Sequence, residues 1–149
     1  MFFGKLKVLV AEDSKLQRAM LVTILKARKD YTIIEAEDGL QAQELIEKKK
    51  PNMCILDVEM PGMKGHELCL WMKSNDKFAH IPVMIVTATT KNAKMSDEEL
   101  CLKFRADDFI TKPYQSADIY KRIDRLIKTA NGPEKGGTRM TQNKIRYRL

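Results

Sequence analysis

The sequence predicts a doubly wound α/β domain, with one five-stranded parallel sheet and five helices on both faces. Short apolar runs rich in strand-favouring residues recur five times, each followed by a stretch with the three-to-four-residue period of a helix. The runs are apolar throughout rather than alternating, which is the pattern of strands buried on both faces. Three of them end in charge: Glu12-Asp13 after Val8-Leu9-Val10-Ala11, Asp57 after Met53-Cys54-Ile55-Leu56, and Lys112-Pro113 after Phe109-Ile110-Thr111. Strands alternating with helices imply right-handed crossovers, hence helices on both faces of the sheet.

Residues 7–11 form the first predicted strand. Leu16, Ala19, Met20, Thr23, Ile24 and Ala27 then recur at intervals of three and four and predict a helix that buries this stripe. The second strand covers 32–36 and the second helix 40–49. Lys48-Lys49-Lys50 places positive charge at the negative end of that helix, and Pro51 cannot continue it. Strand 53–57 and helix 65–75 follow. Strand 82–87 leads to a helix over 96–104, where Ser96 and Glu99 have the spacing of a capping box. Residues 89–94 read as an extended loop before it. The last strand, 109–111, precedes a helix over 116–128 with Ile119, Ile123, Leu126 and Ile127 on its inner face. Asn131-Gly132-Pro133 and Gly136-Gly137 break any further helix. The domain therefore spans 1–130, and 131–149 reads as a flexible basic tail or a truncated linker.

A length of 149 residues suits one domain with a sizeable core. No apolar stretch approaches the roughly 20 residues that cross a bilayer, so no membrane partner is expected. Met1-Phe2-Phe3-Gly4-Lys5 lacks the charged segment and long apolar core of a signal peptide, and the expected location is cytoplasmic. Cys54, Cys69 and Cys101 are odd in number, far apart and without CxxC spacing, and read as reduced core thiols. The formal charge of +7 is unevenly placed, because residues 131–149 hold five basic residues against Glu134 alone. A nucleic-acid reading of the body is thereby weakened. It is left to the tail, where Arg139, Lys144, Arg146, Tyr147 and Arg148 combine phosphate-tracking charge with a stacking ring.

In a parallel sheet the ligand crevice lies outside the carboxyl ends of the strands. Asp13, just before a helical pattern, has two readings, as a helix cap or as part of a carboxylate cluster. In a flavodoxin-like strand order 2-1-3-4-5, Glu12, Asp13 and Asp57 fall at neighbouring strand ends. Carboxylates held together repel, and a hard divalent cation relieves this by taking oxygen ligands; Mg2+ fits, since it keeps waters and phosphate oxygens beside one or two carboxylates. Lys112 supplies a mobile ammonium for Asp57 or for a phosphoryl oxygen. Pro113 is a cis-proline candidate that would aim its neighbour. Thr87, at the end of the fourth run, offers a hydroxyl at the same edge.

Together these residues resemble the receiver, or phosphoacceptor, domain of two-component response regulators, chemotaxis-regulator-like, over about residues 5–130. The resemblance rests on Glu12-Asp13, on Asp57-Val58-Glu59-Met60-Pro61-Gly62-Met63-Lys64-Gly65, on Val86-Thr87-Ala88, and on Ala106-Asp107-Asp108-Phe109-Ile110-Thr111-Lys112-Pro113. It implies that Asp57 accepts a phosphoryl group from a histidine kinase or phosphotransfer protein. It further implies that Asp13, Asp57 and the backbone carbonyl of Glu59 ligate Mg2+, with Glu12 acting through a metal-bound water. Lys112 and Thr87 would hold the phosphoryl oxygens. Thr87 would then be drawn inward and Phe109 would turn its ring into the vacated space, changing the helix 4, strand 5 and helix 5 face that serves as output. No enzymatic turnover beyond self-phosphorylation and self-dephosphorylation is implied, and the downstream effector is not named by the sequence.

Three positions depart from the family pattern. Phe109 lacks the hydroxyl of the commoner tyrosine. Arg105 replaces a glycine, which implies a missing tight helix cap. Asp108, Asp118 and Arg122 resemble part of a charged homodimer face, where Glu98 replaces a basic residue. A phosphohydrolase of the haloacid dehalogenase kind would need a second aspartate where Glu59 stands. The alternative that remains is a phosphorylation-independent divergent receiver acting as a protein-interaction module.

Overall fold

The computed structural model describes residues 5–88 and 96–130, the side chains at 97, 98, 100 and 101 excepted. Ten elements alternate: β1 (Leu6–Ala11), α1 (Lys15–Lys26), β2 (Tyr31–Ala36), α2 (Gly39–Lys49), β3 (Met53–Asp57), α3 (Gly65–Lys73), β4 (Val83–Ala88), α4 (Asp97–Phe104), β5 (Asp108–Lys112) and α5 (Ser116–Ala130). All strand pairs are parallel and the order is β2-β1-β3-β4-β5, as the sequence predicts. The expected loop over 89–94 and the tail over 131–149 lie outside the described residues.

Alternate strand residues point to opposite faces, and both faces here are covered. Leu9, Ala11, Cys54, Leu56, Val83 and Ile85 share one core cluster with Ala42 and Ile46 of α2 and Leu68, Cys69 and Met72 of α3. Val8, Val10, Met53, Ile55, Met84 and Val86 share the other with Leu21 and Leu25 of α1 and Ile119, Ile123 and Leu126 of α5. That double burial is why the strand runs lack polar alternation. Cys54 and Cys69 are both buried, and burial pushes the Cys54 thiol far above its ordinary pKa. The Cys101 side chain is outside the described set. Among the described residues no helix is long and apolar enough to cross a membrane.

The buried stripe of α1 corrects the sequence reading. Leu16 and Met20 are 72% and 58% exposed, whereas Arg18, Leu21, Val22 and Leu25 face inward. Both sets have helical spacing; the inner one contains an arginine and therefore reads as polar. Its guanidinium is satisfied inside, donating to the Glu12 carbonyl (2.7 Å) and to Glu35 Oε1 (3.3 Å). The cap reading of Asp13 is also corrected. Ser14 is the N-cap, its Oγ accepting from the Gln17 backbone N–H at 3.2 Å. Ser14→Ala should lower the unfolding free energy by about 1 kcal/mol in urea titrations.

Among the described residues, two at helix ends are left-handed without being glycine. Lys50 (φ 45°) closes α2, with its N–H on the Ile46 carbonyl. Arg105 (φ 60°) follows α4, so the tight turn forms there despite the side chain, correcting the expectation of a missing cap. The Ser96–Glu99 capping box is present, with reciprocal bonds of 3.3 and 3.2 Å. β4 begins at Val83 rather than at Pro82, because proline accepts from Cys54 N–H through its carbonyl but cannot donate to the ladder.

At the amino ends of β4 and β5 lies a buried ion pair that the sequence did not single out. Lys73 Nζ donates to the carbonyls of Ala79 (3.2 Å) and Ile81 (2.8 Å) and to Asp107 Oδ2 (2.7 Å). The same oxygen accepts from Val83 N–H at 2.8 Å. Both side chains are about 5% exposed, and all three ammonium protons have acceptors.

Candidate functional site

Strand register builds the site. Ala11 pairs with Leu56 across β1 and β3, so the next residues, Glu12 and Asp57, leave the sheet side by side. Ala88 pairs with Lys112 across β4 and β5, which brings Lys112 to the same edge. Glu12, Asp13 and Asp57 each present a carboxylate oxygen within 4.8 Å of the others. Glu12 and Asp57 are buried while Asp13 is exposed, so the cluster opens to solvent on the Asp13 side.

The Glu12 carboxylate is held at both oxygens, Oε1 accepting from Lys112 Nζ at 2.8 Å and Oε2 from Ser14 N–H at 3.2 Å. Lys112 also donates to Asp57 Oδ2 at 3.4 Å and to Gln17 Oε1. The ammonium expected beside Asp57 thus sits closer to Glu12, a difference of about 0.6 Å. Burial works against its charge, but the hydrogen bond to Glu12 and the charges of Asp57 and Glu12 outweigh it, and its pKa lies above the ordinary lysine value. Lys112 is therefore protonated across neutral pH. A raised pKa means that its contribution to stability is present below the unfolded lysine's pKa and is lost as pH rises through the folded one.

The remaining expected residues flank this cluster. The Thr87 hydroxyl donates to the Ala88 carbonyl at 3.3 Å. Phe109 is 6% exposed and belongs to the core cluster that includes Ile85 and Ala106, so its ring is already inside. The Lys112–Pro113 peptide is cis. The Glu59 side chain points to the rim, its Oε2 4.0 Å from Lys64 Nζ. Asp108, Asp118 and Arg122 pair within the chain, Arg122 reaching Asp108 at 2.7 Å and Asp118 at 3.1 Å, with Arg125 on Asp108 at 2.9 Å. The Glu98 side chain is outside the described set. A groove of about 410 Å³ runs beside this network, lined by Phe109, Ile110, Thr111, Pro113, Tyr114, Gln115, Asp118 and Arg122.

Two residues at the site were missed from sequence. Arg18 fixes the Glu12 backbone, and Gln17 shares the Lys112 ammonium. An arginine in register with Leu21, Val22 and Leu25 was the available signal for the first; nothing in the sequence marked the second.

The model of the response regulator receiver domain family matches residues 8–124. The chain belongs to that family. It is 36% identical over 128 residues to histidine kinase P4 of Formosa agariphila, covering 83% of this chain and 9% of that protein. It is 31% identical over 106 residues to the polar-differentiation response regulator DivK of Brucella anthropi, covering 71% and 83%. The receiver domain of a signal transduction histidine kinase from Syntrophus aciditrophicus aligns with a TM-score of 0.76 at 30% identity, over 89% of this chain and 98% of that one. The chain spans only a small part of several larger curated relatives, 9% of the kinase among them.

Proposed function

We propose that the protein is a phosphorylation-dependent signalling switch in which Asp57 accepts the phosphoryl group. The observation that carries this is the convergence of three carboxylates within 4.8 Å with a lysine ammonium 3.4 Å from Asp57. A buried carboxylate oxygen is a competent nucleophile when a cation stands beside it to offset the charge of the product. The donor is a phosphohistidine on a histidine kinase or phosphotransfer protein. An Asp57 oxygen forms its bond to phosphorus as the donor's P–N bond breaks, and the departing imidazole nitrogen keeps the electron pair and takes up a proton.

The donor set is all oxygen and negatively charged, which fits Mg2+. Asp13, Asp57 and the Glu59 carbonyl would hold the ion, with Glu12 reaching it through water. Bound there, it would supply charge neutralisation to the incoming phosphoryl group. Lys112, shared at rest among its acceptors, would shift to a phosphoryl oxygen, and Thr87 would turn its hydroxyl from Ala88 to another. Phe109, packed beneath, couples that motion to the α4, β5 and α5 face, whose groove suits an effector. A second copy docking there would first have to break the Arg122 pairs with Asp108 and Asp118. The unit acts in the cytoplasm, and residues 131–149 follow it as a tail or linker.

Incubation with acetyl phosphate and Mg2+ should add one phosphoryl group to the intact mass of the wild type. Asp57→Asn, and the wild type without Mg2+, should show no gain. A wild type that takes up nothing would leave the interaction-module reading in its place.

A further inference from the structure

Among the described residues, Lys112 Nζ donates to Glu12, Asp57 and Gln17, and the last of these stands apart. Glu12 and Asp57 belong to the carboxylate cluster, whereas Gln17 is a neutral, exposed residue in the first turn of α1. Its backbone is fixed by the Ser14 cap, so the amide oxygen is presented toward the site by the helix start. Building on the Asp57 reading, we propose that Gln17 is a positioning residue that sets the balance between the phosphorylated and resting states by drawing Lys112 toward α1.

A lysine ammonium has three protons, and every acceptor it keeps at rest must be released or stretched when a phosphoryl group on Asp57 claims it. Glu12 and Asp57 are needed in both states, as metal-site carboxylate and as phosphoryl carrier. Gln17 serves the resting state alone. Removing its acceptor destabilises rest without touching the product, so the ratio of phosphoryl uptake to phosphoryl loss must rise. The net contribution of a typical hydrogen bond corresponds to roughly a three- to tenfold change. Because Gln17 is exposed and off the core, its replacement leaves the fold intact.

The test compares wild type, Gln17→Leu, Gln17→Glu and Leu16→Ala with acetyl phosphate and Mg2+, reading the rate constants of uptake and loss by intact mass. Gln17→Leu, similar in shape but without an acceptor, should raise the ratio of uptake to loss roughly three- to tenfold. Gln17→Glu restores the acceptor with a charge and should bring the ratio back to wild type or below. Leu16→Ala, at an exposed neighbouring position, should not move it. An unchanged or lowered ratio in Gln17→Leu overturns the proposal. So does an equal rise in Gln17→Glu, because a merely structural effect of position 17 would not distinguish the two. Should the wild type itself take up no phosphoryl group, the Asp57 reading fails and the Gln17 proposal falls with it.

Discussion

Gly65→Ala should cripple phosphoryl uptake without touching a single charged group. Gly65 opens α3 directly against the exit of β3, donating its N–H to the Val58 carbonyl at 3.2 Å. A Cβ there would stand 2.1 Å from the Asp57 carbonyl oxygen and 2.8 Å from its carbon. These atoms are backbone, so they cannot swing aside as a flexible side chain would. Either α3 backs off or the end of β3 shifts, and the second moves Asp57 itself. Overpacking of this kind costs about 1–3 kcal/mol, measurable as a lower urea midpoint. The functional loss should be larger, because a displacement of about 1 Å at a reacting group is worth about a hundredfold in rate. Uptake from acetyl phosphate that stays within twofold of wild type would show that the loop absorbs the Cβ without moving Asp57.

Lys73→Ala should produce the largest loss of stability. Two ion pairs have nearly equal N···O distances, Lys73–Asp107 at 2.7 Å and Lys48–Glu44 at 2.6 Å. Distance therefore does not rank them; burial does. Side chains of the second pair are more than 60% exposed, where solvent screens the attraction, and Lys48→Ala should leave the urea midpoint unchanged within error. In the first pair, truncating Lys73 takes the cation away from the buried Asp107 carboxylate and removes the partner of two carbonyls. Breaking a buried ion pair by removing one partner costs about 3–5 kcal/mol. Asp107→Asn is the milder change, since it keeps an acceptor for both Val83 and Lys73. Equal losses for Lys73→Ala and Lys48→Ala would refute the ranking.

Most of the architecture could be read from the chain because parallel strands buried on both faces leave unbroken apolar runs. The site could be read for a related reason. Glu12, Asp57 and Lys112 sit one residue beyond or at the end of such runs, and strand register does the rest. What was hidden has a common cause, which is that sequence periodicity records residue polarity and not its partner. Arg18 reads as surface because its acceptors, the Glu12 carbonyl and Glu35, come from two other strand ends. The stripe of Leu16 and Met20 then reads as the inner one when it is the outer. Lys73 and Asp107 are 34 residues apart, and only the fold brings them together. Arg105 adopts a conformation that its side chain disfavours, and no pattern announces that.

Asp107 also has a mechanical meaning. By accepting from both Lys73 and the first residue of β4, it anchors β4 to the residue just before β5. The far ends of the same two strands carry Thr87 and Lys112. β4 and β5 are thus a pair of beams clamped at one end and loaded at the other, so displacement at the charged edge grows with distance from the clamp. A force applied at Asp57 would tilt the strands about a fixed base rather than slide them, delivering its greatest travel to Thr87 and Lys112.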